Sequence, residues 1–129
     1  MTNVDTMGAT DLFAGVNEPA DRNNLSDLEK KHIPVIEAPD VVKKGRCFKL
    51  AVEVGKMLPH PNEHGHFIQF VDLYADDTFL ARADFTPVRT CPRIGFCIAL
   101  QHDVKQLRAY GNCNLHGVWV GTKRISVTE

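Results

Sequence analysis

The sequence lacks any apolar run near the roughly 20 residues that a membrane-spanning helix needs. Its first residues include neither the basic start nor the apolar core of a secretory signal, so we expect a cytoplasmic protein. An excess of basic charge is also absent, because the formal net charge is −1 at pH 7. This balance argues against nucleic-acid binding, and a length of 129 residues favours a single domain.

The 4 cysteines include no CxxC pair, and the missing secretory signal gives no support for a disulfide framework. Cys47, Cys91 and Cys97 lie in apolar, strand-like surroundings. We expect these three to be buried free thiols, because unpaired cysteine behaves as a small apolar side chain. Cys113 is different, since it shortly precedes His116 in a segment rich in turn-forming residues.

Helical periodicity is missing after residue 30, and the pattern there is that of β-strands. In the segment 48–54, Phe48, Leu50 and Val52 alternate with other side chains, which is the period of a half-buried strand. Turn-forming residues separate it from further strand-like segments at 66–74, 78–85, 94–100, 106–110 and 118–127. Strands spaced by about a dozen residues predict an all-β sandwich or barrel.

Residues 1–28 are polar and acidic, and we predict an irregular N-terminal arm before a folded domain at residues 29–129. The adjoining segment 30–56 is rich in lysine and arginine. Such a basic segment is either a solvated face of the protein or a source of attraction for a small anion.

Histidines cluster at two places that lie at the ends of predicted strands. His60, His64 and His66 share one short stretch, and Cys113 and His116 form a CxxH pair. The pair alone is a weak signal and the cluster alone a moderate one, but together they offer several imidazoles and a thiolate, a mixture that suits iron, zinc or copper. Structural zinc prefers closed four-ligand sites, often with several thiolates, so this pattern favours a functional metal site.

Two other interpretations stay open on the residues alone. A non-catalytic electron carrier with blue copper would use two histidines and one cysteine, and the extra histidines and the CxxH spacing fit it less well. An immunoglobulin-like interaction domain with incidental histidines is the second. Elemental analysis and a visible spectrum of the purified protein distinguish both from an iron enzyme.

Three separated motifs resemble a known family across about residues 29–120. HIPVIE begins at His32, HPN begins at His60 with another histidine at position 66, and CNLHG begins at Cys113. In this order they resemble superoxide reductase, the family of neelaredoxin and of the iron domain of desulfoferrodoxin. The resemblance implies an immunoglobulin-like β-sandwich of about seven strands.

The resemblance also implies a mononuclear non-haem iron with an axial thiolate from Cys113 and four equatorial imidazoles. The implied imidazole ligands are those of His32, His60, His66 and His116. The family's spacing after the HPN motif selects His66 rather than His64, so His64 and His102 are expected at the surface. The implied reaction is the one-electron reduction of superoxide to hydrogen peroxide at the open sixth position. An external reduced donor such as rubredoxin would supply electrons, and a dimeric or tetrameric homo-oligomer is expected.

Two positions beside the first ligand bear on the open coordination site. Lys31 takes the place of the family's lysine, and we expect it to supply positive charge there. Lys30 stands where the family's glutamate usually lies, and Glu29 is one residue earlier, so whether Glu29 can be a sixth ligand is open. No cysteine precedes Cys47, so we expect one iron and no additional four-cysteine iron domain.

Overall fold

The computed structural model describes residues 15–129 and consists almost entirely of β-strands. Within this range there is one helix, α1 (Asp27–His32). The ten strands are β1 (Val16–Asn17), β2 (Val35–Glu37), β3 (Val41–Lys43), β4 (Phe48–Glu53), β5 (Ile68–Ala75), β6 (Thr78–Asp84), β7 (Arg93–Ile98), β8 (Gln106–Cys113), β9 (Gly117–Arg124) and β10 (Ser126–Thr128). No helix among the described residues is long and apolar enough to cross a membrane.

The strands form two principal sheets and one short ribbon. The larger sheet has the order β1-β9-β8-β5-β6, the smaller one β2-β4-β7, and the ribbon pairs β10 with β3. Neighbours are antiparallel except for the β1–β9 and β10–β3 pairs. Val52 of the smaller sheet and Leu73 and Leu107 of the larger one are fully buried in the same apolar core.

This arrangement confirms the predicted all-β sandwich. The longer strands β4 to β9 fall on the six segments predicted from sequence alternation. The strand number exceeds the expected seven because β1, β2, β3 and β10 are only two or three residues long. Such short strands have too few residues for a period of two to be recognised.

The prediction overlooked helix α1, which begins within the expected arm and ends at His32, two residues beyond residue 30. The helix begins with a capping box: the Ser26 hydroxyl accepts from the Glu29 N–H, and the Glu29 carboxylate accepts from the Ser26 N–H. Strand β1 further ties part of the predicted arm to β9, with Val16 opposite Val118. The rest of the predicted arm, residues 1–14, lies outside the described residues.

The prediction that three cysteines are buried is also wrong, since Cys47, Cys91 and Cys97 are exposed. Strand β7 shows the reason. Phe96 packs against the core, so the next side chain, Cys97, faces outward. Apolar neighbours in sequence place a residue in a strand but do not decide which face it takes.

The close approach of the chain after α1 to the larger sheet depends on glycine. A Cβ at Gly121 of β9 would overlap the carbonyl oxygen of Pro34 and lie 2.9 Å from its carbonyl carbon. A Cβ at Gly111 of β8 would lie 3.2 Å from Cγ of the same proline. Two strand glycines therefore let the segment that follows His32 lie directly on the sheet.

Candidate metal centre

His32 is the last residue of α1 and is only 2% exposed. Its Nδ1 donates to the carbonyl oxygen of Leu28 at 2.7 Å, which directs Nε2 away from the helix. The ring stacks on the indole of Trp119, with centroids 5.0 Å apart and planes inclined by 26°. The helix and the tryptophan together fix both the position and the plane of this imidazole.

His60 lies in the loop that follows β4 and is 8% exposed. The loop turns back at Gly55, whose φ of +90° favours glycine and where a Cβ would lie 2.8 Å from the His60 nitrogen. Nδ1 of His60 donates to the Pro61 carbonyl oxygen at 2.6 Å, and Nε2 lies 3.3 Å from Sγ of Cys113. The proton is thus held on the outer nitrogen, and the inner nitrogen faces the sulfur.

Cys113 ends β8 and is 1% exposed, and His116 follows in the turn before β9. Sγ of Cys113 lies 3.8 Å from Nδ1 of His116, which in turn lies 3.2 Å from Nε2 of His32. Burial raises the pKa of the Cys113 thiol, whereas hydrogen bonds from the backbone N–H groups of Leu115 and His116 lower it. The net effect is a raised pKa, and a bound cation would oppose it by favouring the thiolate.

His66 precedes β5 and completes the group. Its Nε2 is buried and has no hydrogen-bond partner among the described residues. Ligand atoms of His32, His60, His66 and Cys113 all lie within 4.8 Å of one another. A buried imidazole nitrogen that faces other donor atoms without a partner is expected where a cation binds.

The four imidazole rings form a closed ring around a common centre. Successive centroids lie 4.7, 4.8, 5.1 and 5.0 Å apart in the order His32, His60, His66, His116 and back to His32, and each ring stands edge-on to the next. Burial lowers the pKa of three of these imidazoles, that of His60 to about 4, so these rings are neutral and able to bind a metal at neutral pH. Four imidazoles and one thiolate suit a transition metal rather than calcium or magnesium.

The predicted neighbours of the centre take different places. The positive charge of Lys31 lowers the pKa of both His32 and His66, and Lys31 forms no ion pair within residues 15–129. The Glu29 carboxylate accepts from the backbone N–H groups of Ser26 at 2.8 Å and Ala20 at 3.0 Å. Glu29 is therefore engaged in the helix cap and does not belong to the metal-ligand group.

His64 and His102 are exposed, as predicted. Sequence reasoning did not find Trp119, which stacks on His32 and donates from Nε1 to the carbonyl oxygen of His116 at 3.0 Å. It also missed Asn114, whose side chain reaches the His66 loop. Both lie in or near the CNLHG motif, but His32 and the His66 loop, which they contact, are distant from it in sequence.

Fold and centre together define a metal-binding β-sandwich protein whose site combines several imidazoles with one thiol. A family model described as desulfoferrodoxin matches residues 24–122. The superoxide reductase of Pyrococcus abyssi is 39% identical over 100 residues, covering 70% of this chain and 83% of that protein. The structure of the superoxide reductase (neelaredoxin) from Ignicoccus hospitalis has a TM-score of 0.75 at 34% identity, covering 88% of this chain and 95% of that one. The chain belongs to the desulfoferrodoxin family, with superoxide reductases as its relatives, as the three motifs predict.

Proposed function

We propose that this protein reduces superoxide to hydrogen peroxide at one mononuclear non-haem iron. The observation that carries the proposal is the closed ring of four imidazoles beside a buried thiol. The proposed ligands are Nε2 of His32, His60 and His66, Nδ1 of His116, and Sγ of Cys113. Five protein donors would leave room on the ion for one small ligand.

The reaction consumes one electron and two protons for each superoxide. Bound iron would supply the electron, and its thiolate ligand would donate electron density to it. The residues of this chain help to attract superoxide, which is an anion. The neutral imidazoles do not repel it, and Lys31 adds a positive charge beside the rings. Glu29 is held by backbone N–H groups of Ser26 and Ala20, so we propose that it does not close the sixth position.

An electron must return to the iron after each turnover. We propose an external reduced donor such as rubredoxin, because the only metal-ligand group found among residues 15–129 is the one already described. We further propose a cytoplasmic homo-oligomer, on the resemblance to superoxide reductases rather than on a contact in this chain.

The decisive experiment combines metal analysis with superoxide kinetics. We expect one iron per chain and a ferric–thiolate absorption band in the oxidised protein. The same band should appear when pulse-generated superoxide oxidises the ferrous protein. Cys113→Ser should abolish the band, whereas the exposed thiol variant Cys97→Ser should leave the band and the rate unchanged. Stoichiometric copper or zinc in place of iron, or no reaction with superoxide, would contradict the proposal.

A further inference from the structure

His66 differs from its neighbours in how its ring is held. The Nδ1 atoms of His32 and His60 donate to the carbonyl oxygens of Leu28 and Pro61, which fixes the direction of each imidazole. No side-chain hydrogen bond of His66 exists within the described residues, and its Nε2 is buried without a partner. Apart from its edge-on contacts with the rings of His60 and His116, the orientation of this ring therefore depends on the backbone that carries it.

That backbone is held on both sides by Asn114, the residue after Cys113. The N–H of Phe67 donates to Oδ1 of Asn114 at 2.9 Å, and Nδ2 of Asn114 donates to the carbonyl oxygen of Gly65 at 2.9 Å. The N–H of Asn114 also donates to the carbonyl oxygen of Phe67 at 3.2 Å. One side chain thus bonds to the residues immediately before and after His66.

The backbone N–H and carbonyl oxygen of His66 itself are both bonded to Glu63. The N–H of Glu63 donates to the carbonyl oxygen of His66 at 2.9 Å. The N–H of His66 donates to the carbonyl oxygen of Glu63 at 3.1 Å. This small turn leaves His64 at its exposed tip. The two bonds between Glu63 and His66 hold the turn in shape. Of the hydrogen bonds described here, only those of Asn114 connect this turn to the segment that carries Cys113.

We propose that Asn114 is a positioning residue that sets the distance and angle between His66 and the Cys113 thiol. The inference rests on the proposed function, in which both residues bind the same iron. Because Asn114 directly follows Cys113, the two ligands move as one unit while its side chain remains bonded to the loop at residues 65–67. A supporting partner of this kind changes metal affinity and ligand geometry without touching the metal.

The hydrogen bonds themselves can be tested in the full-length protein by amide exchange. Asn114→Ala removes both side-chain bonds, and Asn114→Asp keeps an acceptor for the Phe67 N–H but loses the donor to Gly65. We expect exchange at Phe67 to accelerate by roughly 5-fold in Asn114→Ala and less in Asn114→Asp. Asn112→Ala and Asn112→Asp are matched controls, because the side chain of that asparagine donates to Gln69 rather than to the carbonyl oxygen of Gly65.

Release of ferrous iron to a chelator and the position of the ferric–thiolate band give the second measurement. We expect Asn114→Ala to release iron about 10-fold faster and to shift the band, Asn114→Asp to lie between it and wild type, and the Asn112 controls to match wild type. If wild type has no iron and no such band, the proposed function fails.

If wild type has the band and both Asn114 variants equal their controls, the positioning role fails. Should Asn114→Ala not fold, the Asn114→Asp comparison decides alone.

Discussion

Replacement of Gly121 by alanine is expected to be among the most damaging single-methyl changes in this protein. The new Cβ would overlap the carbonyl oxygen of Pro34 and lie 2.9 Å from its carbonyl carbon. Both neighbours are backbone, so relief requires β9 and the Pro34 segment to separate by roughly an ångström. Overpacking of this kind costs about 3 kcal/mol of unfolding free energy. For a domain of this size that corresponds to a fall in Tm of roughly 10 °C or more.

The same displacement should reach the candidate metal centre, because Pro34 follows the buried His32, a proposed ligand, by two residues. A shift of about 1 Å in a reacting group can reduce a rate by roughly 100-fold. We therefore expect Gly121→Ala to lose iron and superoxide reactivity in addition to stability. Gly111→Ala should be milder, since its Cβ would meet Val54 Cγ2 at 3.0 Å and Pro34 Cγ at 3.2 Å, both of them side-chain atoms.

Gly95→Ala provides the matched control. A Cβ there would meet only the Leu50 carbonyl oxygen, at 3.8 Å, which is an ordinary contact. Urea unfolding followed by circular dichroism measures all three variants on one scale, and iron content is determined on the same samples. The expected order of stability is Gly95→Ala, Gly111→Ala, Gly121→Ala, from highest to lowest. A Gly121→Ala protein within about 0.5 kcal/mol of wild type would refute the steric argument.

Three further predictions concern the centre. Lys31→Ala should lower the second-order rate with superoxide by about 10-fold at low salt, with a smaller loss at high salt, because the lost charge attracts an anion; equal losses at both salt concentrations would contradict this. Trp119 is the single tryptophan and stacks on His32, so its fluorescence should be quenched as ferrous iron is added, saturating at one iron per chain; unchanged emission would exclude binding at this ring. In the iron-loaded protein, a thiol reagent should label only the exposed Cys47, Cys91 and Cys97. After iron is removed, Cys113 should also be labelled, but more slowly than the other three because it is buried. Equally rapid labelling of all four cysteines in either form would contradict the described burial.

Local patterns predicted most of the fold because its long strands carry their own signal. Alternation in β4 places Leu50 and Val52 on the buried face, and the structure agrees. Helix α1 has six residues, too few for helical periodicity, yet its capping box at Ser26 and Glu29 was readable. The exposed Cys97 shows the limit of such prediction. Because Cys97 lies in a run of apolar residues, the sequence does not indicate which face of β7 is buried.

The expected ligand set of the metal centre came from the resemblance to superoxide reductases, but the groups that support it were not predicted. Spacing indicated that His60 and His66 share a loop and that Cys113 and His116 share a turn. The bonds of Asn114 to Phe67 and Gly65 join residues 47 and 49 positions apart, and no local pattern records such pairs. Distant pairing is decided by the register of β5 against β8, in which Ile68 lies opposite Cys113.

The first and last histidines of the centre, His32 and His116, are far apart in the sequence, and this separation affects the stability of the protein. His32 and His116 are 84 positions apart, yet their ring nitrogens lie 3.2 Å from each other. An ion held by both would act as a cross-link that closes most of the polypeptide into one loop. In the chain-entropy description, closing a loop of that size lowers the entropy of the unfolded chain, which raises the free energy of unfolding by about 4.5 kcal/mol. The iron concentration in the cell would then determine both the activity of this protein and the fraction of it that is folded.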